Sequence, residues 1–233
     1  MTPRYDEPED ITPAEEVAGA VGTSTEYSSE MEIGEKDGQK YVIKDEEAGQ
    51  GLVVPYIIVD AVAEETGLET GISYDPEAGK IIRPEVSGEI PEEYGLNLTT
   101  LIDKLRGNPI GPDEQDLYEA SALKYFARDS NLEGGLKLTD EGVEAVDFKR
   151  AGNLGEHFYS SFLREMDDVF DHLNQDFSRR RFEETVGGLA EEADLEALGN
   201  RLEEGFEQYD SGTTERKQEA VIDRVLEGFR EFR

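Results

Sequence analysis

From Phe158 to Phe232 the apolar residues fall into three runs spaced by threes and fours. The first holds Phe158, Phe162, Met166, Val169, Phe170, Leu173 and Phe177. The second, within 189–206, holds Leu195, Leu198, Leu202 and Phe206. The third holds Val221, Ile222, Val225, Leu226, Phe229 and Phe232. That spacing puts each set on one stripe of a helix. Gly187-Gly188 and Asp210-Ser211-Gly212 are expected to separate these helices. A helix with one apolar stripe buries it against its neighbours or against another chain. Residues 151–233 are therefore expected to form a helical bundle or an oligomerisation region.

The N-terminal half carries a different pattern. Residues 1–29, with Pro3, Pro8, Pro13 and many acids, read as an extended arm. Met31 and Ile33, then Tyr41 and Ile43, alternate with polar residues around Asp37-Gly38, a pair that tolerates the positive φ angles of a tight hairpin turn. Val53, Val54, Ile57, Ile58, Ala61 and Val62 predict a helix, or a strand and helix, over 52–66, stopped by Gly67. A second hairpin follows through Ile72, Tyr74, Ile81 and Ile82, with Pro84 ending it or confining it to an edge. The unit at 30–95 is thus small and α+β. In 96–150, helices are expected at Leu98–Leu105 and at Asp113–Arg128, then a short strand or turn, with Thr139 capping a helix through Ala145. The fold class is α+β: a hairpin-helix-hairpin unit followed by a mostly helical C-terminal region.

Charge narrows the setting. With 23 Lys+Arg against 56 Asp+Glu, the net charge is −33. The acidity is spread along the chain and is mildest over 101–150. Ten Tyr and ten Phe, with clear periodicity, argue against an acidic disordered chain. Abundant carboxylates, scarce Lys and no Cys resemble the composition of haloarchaeal cytoplasmic proteins. In molar salt the Debye length falls to ~3 Å, so such a surface repels itself weakly. The resemblance implies the cytoplasm of a salt-accumulating host, or a virion. No apolar run is long enough to span a bilayer, and no secretory signal is expected at the start.

Most catalytic classes lack their residues. Without Cys there is no disulfide, thiolate zinc site or cysteine nucleophile. His157 and His172 are the only histidines, and no Gly-x-Ser-x-Gly elbow accompanies them. Glu165, Asp168, Asp171 and His172 share a helix, but one His without a Glu three residues before it is a poor metal set; no metal ligand is assigned. Asp75–Gly79 reads as a hairpin turn rather than a calcium loop. Asn97-Leu98-Thr99 reads as a helix cap. Neither phosphate-cradling glycine motif occurs, so no cofactor is expected.

Two segments stand out from the acidic background. Leu123–Val146 runs from a helix through Gly134-Gly135 into Leu138-Thr139-Asp140-Glu141-Gly142, and resembles the end of a winged-helix domain. That resemblance implies DNA binding through Lys124, Arg128 and Lys137. Against it, the helix that would enter DNA begins Asp113-Glu114-Gln115-Asp116, where phosphate contact needs cations. The other segment is Arg179-Arg180-Arg181, which can pair with Asp176, Glu183 and Glu184 or meet a partner. The resulting expectation is a non-enzymatic assembly subunit, working through homo- or hetero-oligomeric protein contacts and independent of membranes. Its candidate partner-binding residues are Arg179, Arg180, Arg181, Val221, Ile222, Val225, Leu226, Phe229 and Phe232. The competing expectation is a winged-helix transcriptional regulator with a C-terminal dimerisation bundle.

Overall fold

The computed structural model describes residues 12–13, 31–36, 39–45, 53–68, 70, 73–75, 80–84, 113–139, 142–148, 150–173, 175–209 and 211–233. The expected architecture is present: α+β, with a hairpin-helix-hairpin unit ahead of a mostly helical C-terminal region. The five-stranded antiparallel sheet contains β1 (Thr12–Pro13), β2 (Met31–Lys36), β3 (Gln39–Asp45), β4 (Ser73–Asp75) and β5 (Lys80–Pro84), ordered β1-β2-β3-β5-β4. Lys36 opposite Gln39 sets the first hairpin's register around Asp37-Gly38. Tyr41, Val42 and Ile43, successive residues of the central strand β3, are all buried, so both of its faces are covered. Pro84 is the last residue of β5. It pairs with Tyr41 on β3 and lies beyond the reach of β4, whose register ends at Ile82, so its missing N–H disrupts no ladder there.

Between the two hairpins runs α1 (Val53–Thr66). Pro55 falls in its first turn, where the N–H has no partner within the helix. Gly67, at φ +70°, takes the left-handed conformation that ends helices. The expected helix at Leu98–Leu105, Asn97 and the boundary at 95/96 lie outside the described residues, as does nearly all of the arm.

The centre of the molecule is α2 (Glu114–Phe126). Asp113 caps it, its Oδ1 accepting from the Gln115 N–H at 2.9 Å, and Glu114 and Asp116 sit favourably at the positive end of the helix dipole. Beyond that turn the helix is covered on every side: Leu117, Tyr118 and every residue from Ala120 to Phe126 are buried. It packs against α1, against β7 (Gly142–Ala145), and against α3 (Phe158–His172), α4 (Arg179–Glu192) and α6 (Glu215–Arg230). Tyr125 is its aromatic hub, lying 5.4–5.9 Å from the rings of Phe126, Phe158, Tyr159, Phe162, Phe182 and Phe232. Phe126 stacks on Phe229 at 3.8 Å. The remaining helix, α5 (Leu195–Gln208), closes against α1 and α6.

Three local expectations are corrected. Thr139 does not start a helix: Leu136–Thr139 is β6, and Gly142–Ala145 returns antiparallel to it as β7. Leu136 and Leu138 face the core as Ala145 does, so the Leu-Thr-x-x-Gly stretch is a hairpin. Gly187-Gly188 lies inside α4; the break comes later, at Ala193-Asp194, where Asp194 accepts from the Glu196 and Ala197 N–H groups. Phe177 falls beyond the end of α3 and instead packs on Tyr118 and Phe170. No helix among the described residues is long and apolar enough to cross a membrane.

Candidate functional site

The chain leaves α2 through a turn in which Arg128 has φ +58°. A side chain with a Cβ adopts that region at a cost of about 1–3 kcal/mol, so the surroundings must hold it. The Arg128 Nε and Nη2 groups donate to the carbonyls of Asn153 (3.2 Å) and Gly155 (3.3 Å), and its guanidinium lies 4.1 Å over the Phe158 ring. Gly152 N–H donates to Ala127 O and Asn153 N–H to Arg128 O, fastening the turn to segment 150–155. Burial pulls the Arg128 pKa below its usual value.

The turn delivers Asp129 into the interior. This carboxylate is 0% exposed; Oδ1 accepts from the Asn131 N–H at 2.8 Å, and Oδ2 lies 3.5 Å from Lys124 Nζ. Lys124, also 0% exposed, projects from the last turn of α2. Its ammonium donates to the Asp147 carbonyl at 2.9 Å and sits 4.1 Å from the Phe148 ring centroid. Burial pushes the lysine below its ordinary range, while Asp129 and Asp147 pull it back up. A buried charge needs such partners, because an unpaired one is costly. Glu165 on α3 completes the surroundings: its Oε2 accepts from the Leu132 N–H at 3.2 Å, and burial raises its pKa.

The β6–β7 hairpin brings the second acid back to the first. Val146 N–H donates to Gly135 O at 2.7 Å, and Asp147 follows at φ +50°. Arg128 and Asp147 are the two non-glycine residues with positive φ among those described, and they stand at the two ends of one hairpin unit. A Cβ on Gly135 would collide with the Asn131 carbonyl oxygen and the Lys124 ammonium, so only glycine fits there. Strained backbone, buried charge and two acids around one ammonium are the marks of a built site.

The residues expected to bind DNA lie elsewhere than on a surface. Lys124 and Arg128 (5% exposed) are inside the fold, committed to the contacts above, and Lys137 is half-buried on β6. The arginine run opens α4: Arg179 pairs with Glu183 at 2.8 Å, Arg180 with Glu184 at 2.6 Å, and Arg181 with Glu114 on α2. Of the C-terminal stripe, Val221, Val225, Leu226 and Phe229 are buried in the chain's own core, with Ile222 and Phe232 packed against it. On α3, His172 Nδ1 lies 3.5 Å from Glu133, and no group of three metal-ligating side chains occurs among the described residues. Asp129, Asn131 and Asp147 carry no expectation from sequence, and Glu165, weighed there only as a metal ligand beside His172, instead accepts from the Leu132 N–H. Their available signal was Arg128-Asp129 and Asp147-Phe148 bracketing two short alternating runs, Leu136/Leu138 and Val143/Ala145.

No family model matches the chain, and no curated protein matches it. Solved structures do. The Helicobacter pylori proinflammatory kinase CtkA is similar over 96% of this chain and 97% of its own, at 10% identity and TM-score 0.50. The choline kinase LicA from Streptococcus pneumoniae aligns over 95% of this chain and 94% of its own, at 10% identity and TM-score 0.32. LicA in complex with AMP aligns over 96% and 92%, at 9% identity and TM-score 0.33. The fold likeness rests on CtkA. It overturns the expectation of a non-enzymatic assembly or virion subunit, and the winged-helix alternative with it. Neither a salt-accumulating nor an archaeal host finds support in these likenesses. The chain has a kinase-like fold.

Proposed function

We propose that the chain is a phosphotransferase that takes a nucleoside triphosphate between its five-stranded sheet and the α2–β6–β7 unit. The observation that carries this reading is the order and placement of Arg128-Asp129, the β6–β7 hairpin and Asp147-Phe148 around Lys124. Protein kinases use a Lys on the third strand of the sheet, an Arg-Asp catalytic loop after a buried helix, and an Asp-Phe pair beyond a hairpin. Here Tyr41-Val42-Ile43-Lys44 occupies β3, between β2 and β5. Lys44 is then the residue for the phosphates, Asp129 the proton acceptor for the attacking hydroxyl, and Asp147 an oxygen ligand on the cation side.

Magnesium bound by the phosphates supplies charge neutralisation in such enzymes. The donor chemistry fits it at Asp147, a half-exposed carboxylate, whereas the catalytic loop has Gly134 where the kinase pattern has Asn, five residues after the Asp. The chain's own contribution is positional. Arg128 holds the turn, Lys124 keeps Asp129 and the Asp147 backbone together, and Glu165 fixes the Leu132 amide within the loop.

The test is ATP binding by thermal shift, with transfer of γ-labelled phosphate to the protein itself or to a panel of small alcohols and proteins. Wild type should bind and transfer. Lys44→Met should weaken binding, and Asp129→Asn should retain binding while losing transfer. Wild type that is folded yet neither binds ATP nor releases its γ-phosphate would refute the reading.

A further inference from the structure

The loop glycine at 134 creates a chemical gap, and the structure shows what lies over it. An ideal Cβ built on Gly134 would stand 3.3 Å from Asn131 Nδ2, 3.4 Å from Asn131 Oδ1 and 3.8 Å from its Cγ. The carboxamide of Asn131 thus lies beside the place from which a side chain at 134 would project. The backbone that carries it is held on both sides. The Asn131 N–H is bound to Asp129 Oδ1, and its carbonyl backs onto Gly135, where no Cβ is tolerated. The side chain is half-buried, and Gly134 beside it is exposed.

We propose that Asn131 supplies the carboxamide oxygen that the kinase loop ordinarily takes from position 134, making Asn131 with Asp147 the cation-side oxygen pair of the nucleotide site. This rests on the phosphotransferase reading. The chemistry is that of a hard cation: an amide oxygen and a carboxylate oxygen suit Mg²⁺ or Mn²⁺, with the phosphates and water filling the remaining positions. The loop has moved its amide three residues towards Asp129, and a glycine at 134 leaves room for it. An Asn at 134 and an Asn at 131 would crowd one another.

The experiment follows Mn²⁺ by its electron paramagnetic resonance signal in the full chain, with the β,γ-imido analogue of ATP as the nucleotide. Asn131→Ala should weaken protein-dependent Mn²⁺ binding roughly tenfold or more. Asn131→Asp, which keeps an oxygen at the same reach, should retain it. Moving the amide back, in Asn131→Ala/Gly134→Asn, should restore it, which a merely structural role for Asn131 would not produce. Unchanged Mn²⁺ binding in Asn131→Ala, or failure of the relocated amide to restore it, overturns the proposal. If wild type binds neither nucleotide nor Mn²⁺, the phosphotransferase reading fails and this inference falls with it. Nucleotide binding that persists while Asn131 proves irrelevant to Mn²⁺ overturns only the inference.

Discussion

Replacing Lys124 by Met should unfold the centre of this protein more readily than any surface charge change. The methionine keeps most of the side chain's length and volume, so little cavity term enters. What is lost is electrical. At 3.5 Å from Asp129, the ammonium's gross attraction is about 5 kcal/mol at an effective dielectric constant of ~20. Much of that offsets the desolvation of two charges that are both 0% exposed. Removing one partner leaves the other's desolvation uncompensated, which costs about 3–5 kcal/mol. The Asp147 carbonyl also loses its 2.9 Å donor, for about 1 kcal/mol more. A loss of about 4 kcal/mol in a chain of this size lowers Tm by roughly 8–16 °C. The assay is urea unfolding followed by far-ultraviolet circular dichroism on wild type, Lys124→Met, Asp129→Asn and the double variant. The double variant should lose at least about 2 kcal/mol less than the two single losses combined, because no lone charge remains inside. A Lys124→Met loss under about 1 kcal/mol, with no coupling to Asp129, would refute the buried pair and the site built on it.

Three further outcomes are expected. Gly135→Ala should destabilise by about 3 kcal/mol or more through collision with the Asn131 carbonyl and the Lys124 ammonium, whereas Gly134→Ala, which presses only on the Asn131 side chain, should cost clearly less; paired denaturation curves check the contrast. Burial and a 2.7 Å hydrogen bond to Glu183 push the Tyr159 hydroxyl up to about 12, and burial and Glu231 push Tyr125 up too. Raised folded values mean that their stabilisation is complete below the unfolded tyrosine value of about 10 and falls above it, that of Tyr159 being lost as pH climbs through about 12. Burial raises Tyr118 as well, so absorbance titration should show Tyr118, Tyr125 and Tyr159 ionising late, and Tyr159→Phe should flatten the alkaline fall in stability. With a net charge of −33, lowering salt to ~0.01 M extends screening to ~30 Å and should lower Tm; an unchanged Tm between molar and millimolar salt contradicts that account.

The sequence spoke clearly where one face of an element meets water. The stripes of α3, α5 and α6 give those helices because polar and apolar faces differ. It spoke poorly where that contrast vanishes. On α2 every residue after the first turn except Glu119 is interior, so Lys124 looked like an available cation when it is a core residue. The β6–β7 hairpin was obscured by its length: four residues a side carry too little alternation to outweigh a Thr that resembles a helix cap. Gly187-Gly188 looked like a break, but Phe182, Val186 and Ala190 bury one face of α4 continuously past them. The site itself is assembled across distance. Asp129 and Asp147 become neighbours of one ammonium only once a hairpin folds back, and no fixed short spacing announces that.

A fully covered helix also sets a timetable for synthesis. Once α2 has emerged from the ribosome, the last of its covering elements, α6, ends roughly 100 residues later, at Arg230. At about 5–20 residues per second, that leaves its Tyr and Phe side chains without their final neighbours for roughly 5–20 s. During that interval an apolar cylinder carrying one buried lysine is available to anything hydrophobic nearby. The nascent chain is therefore a natural client for a ribosome-associated chaperone, and slowed translation between α2 and α6 should favour aggregation over folding.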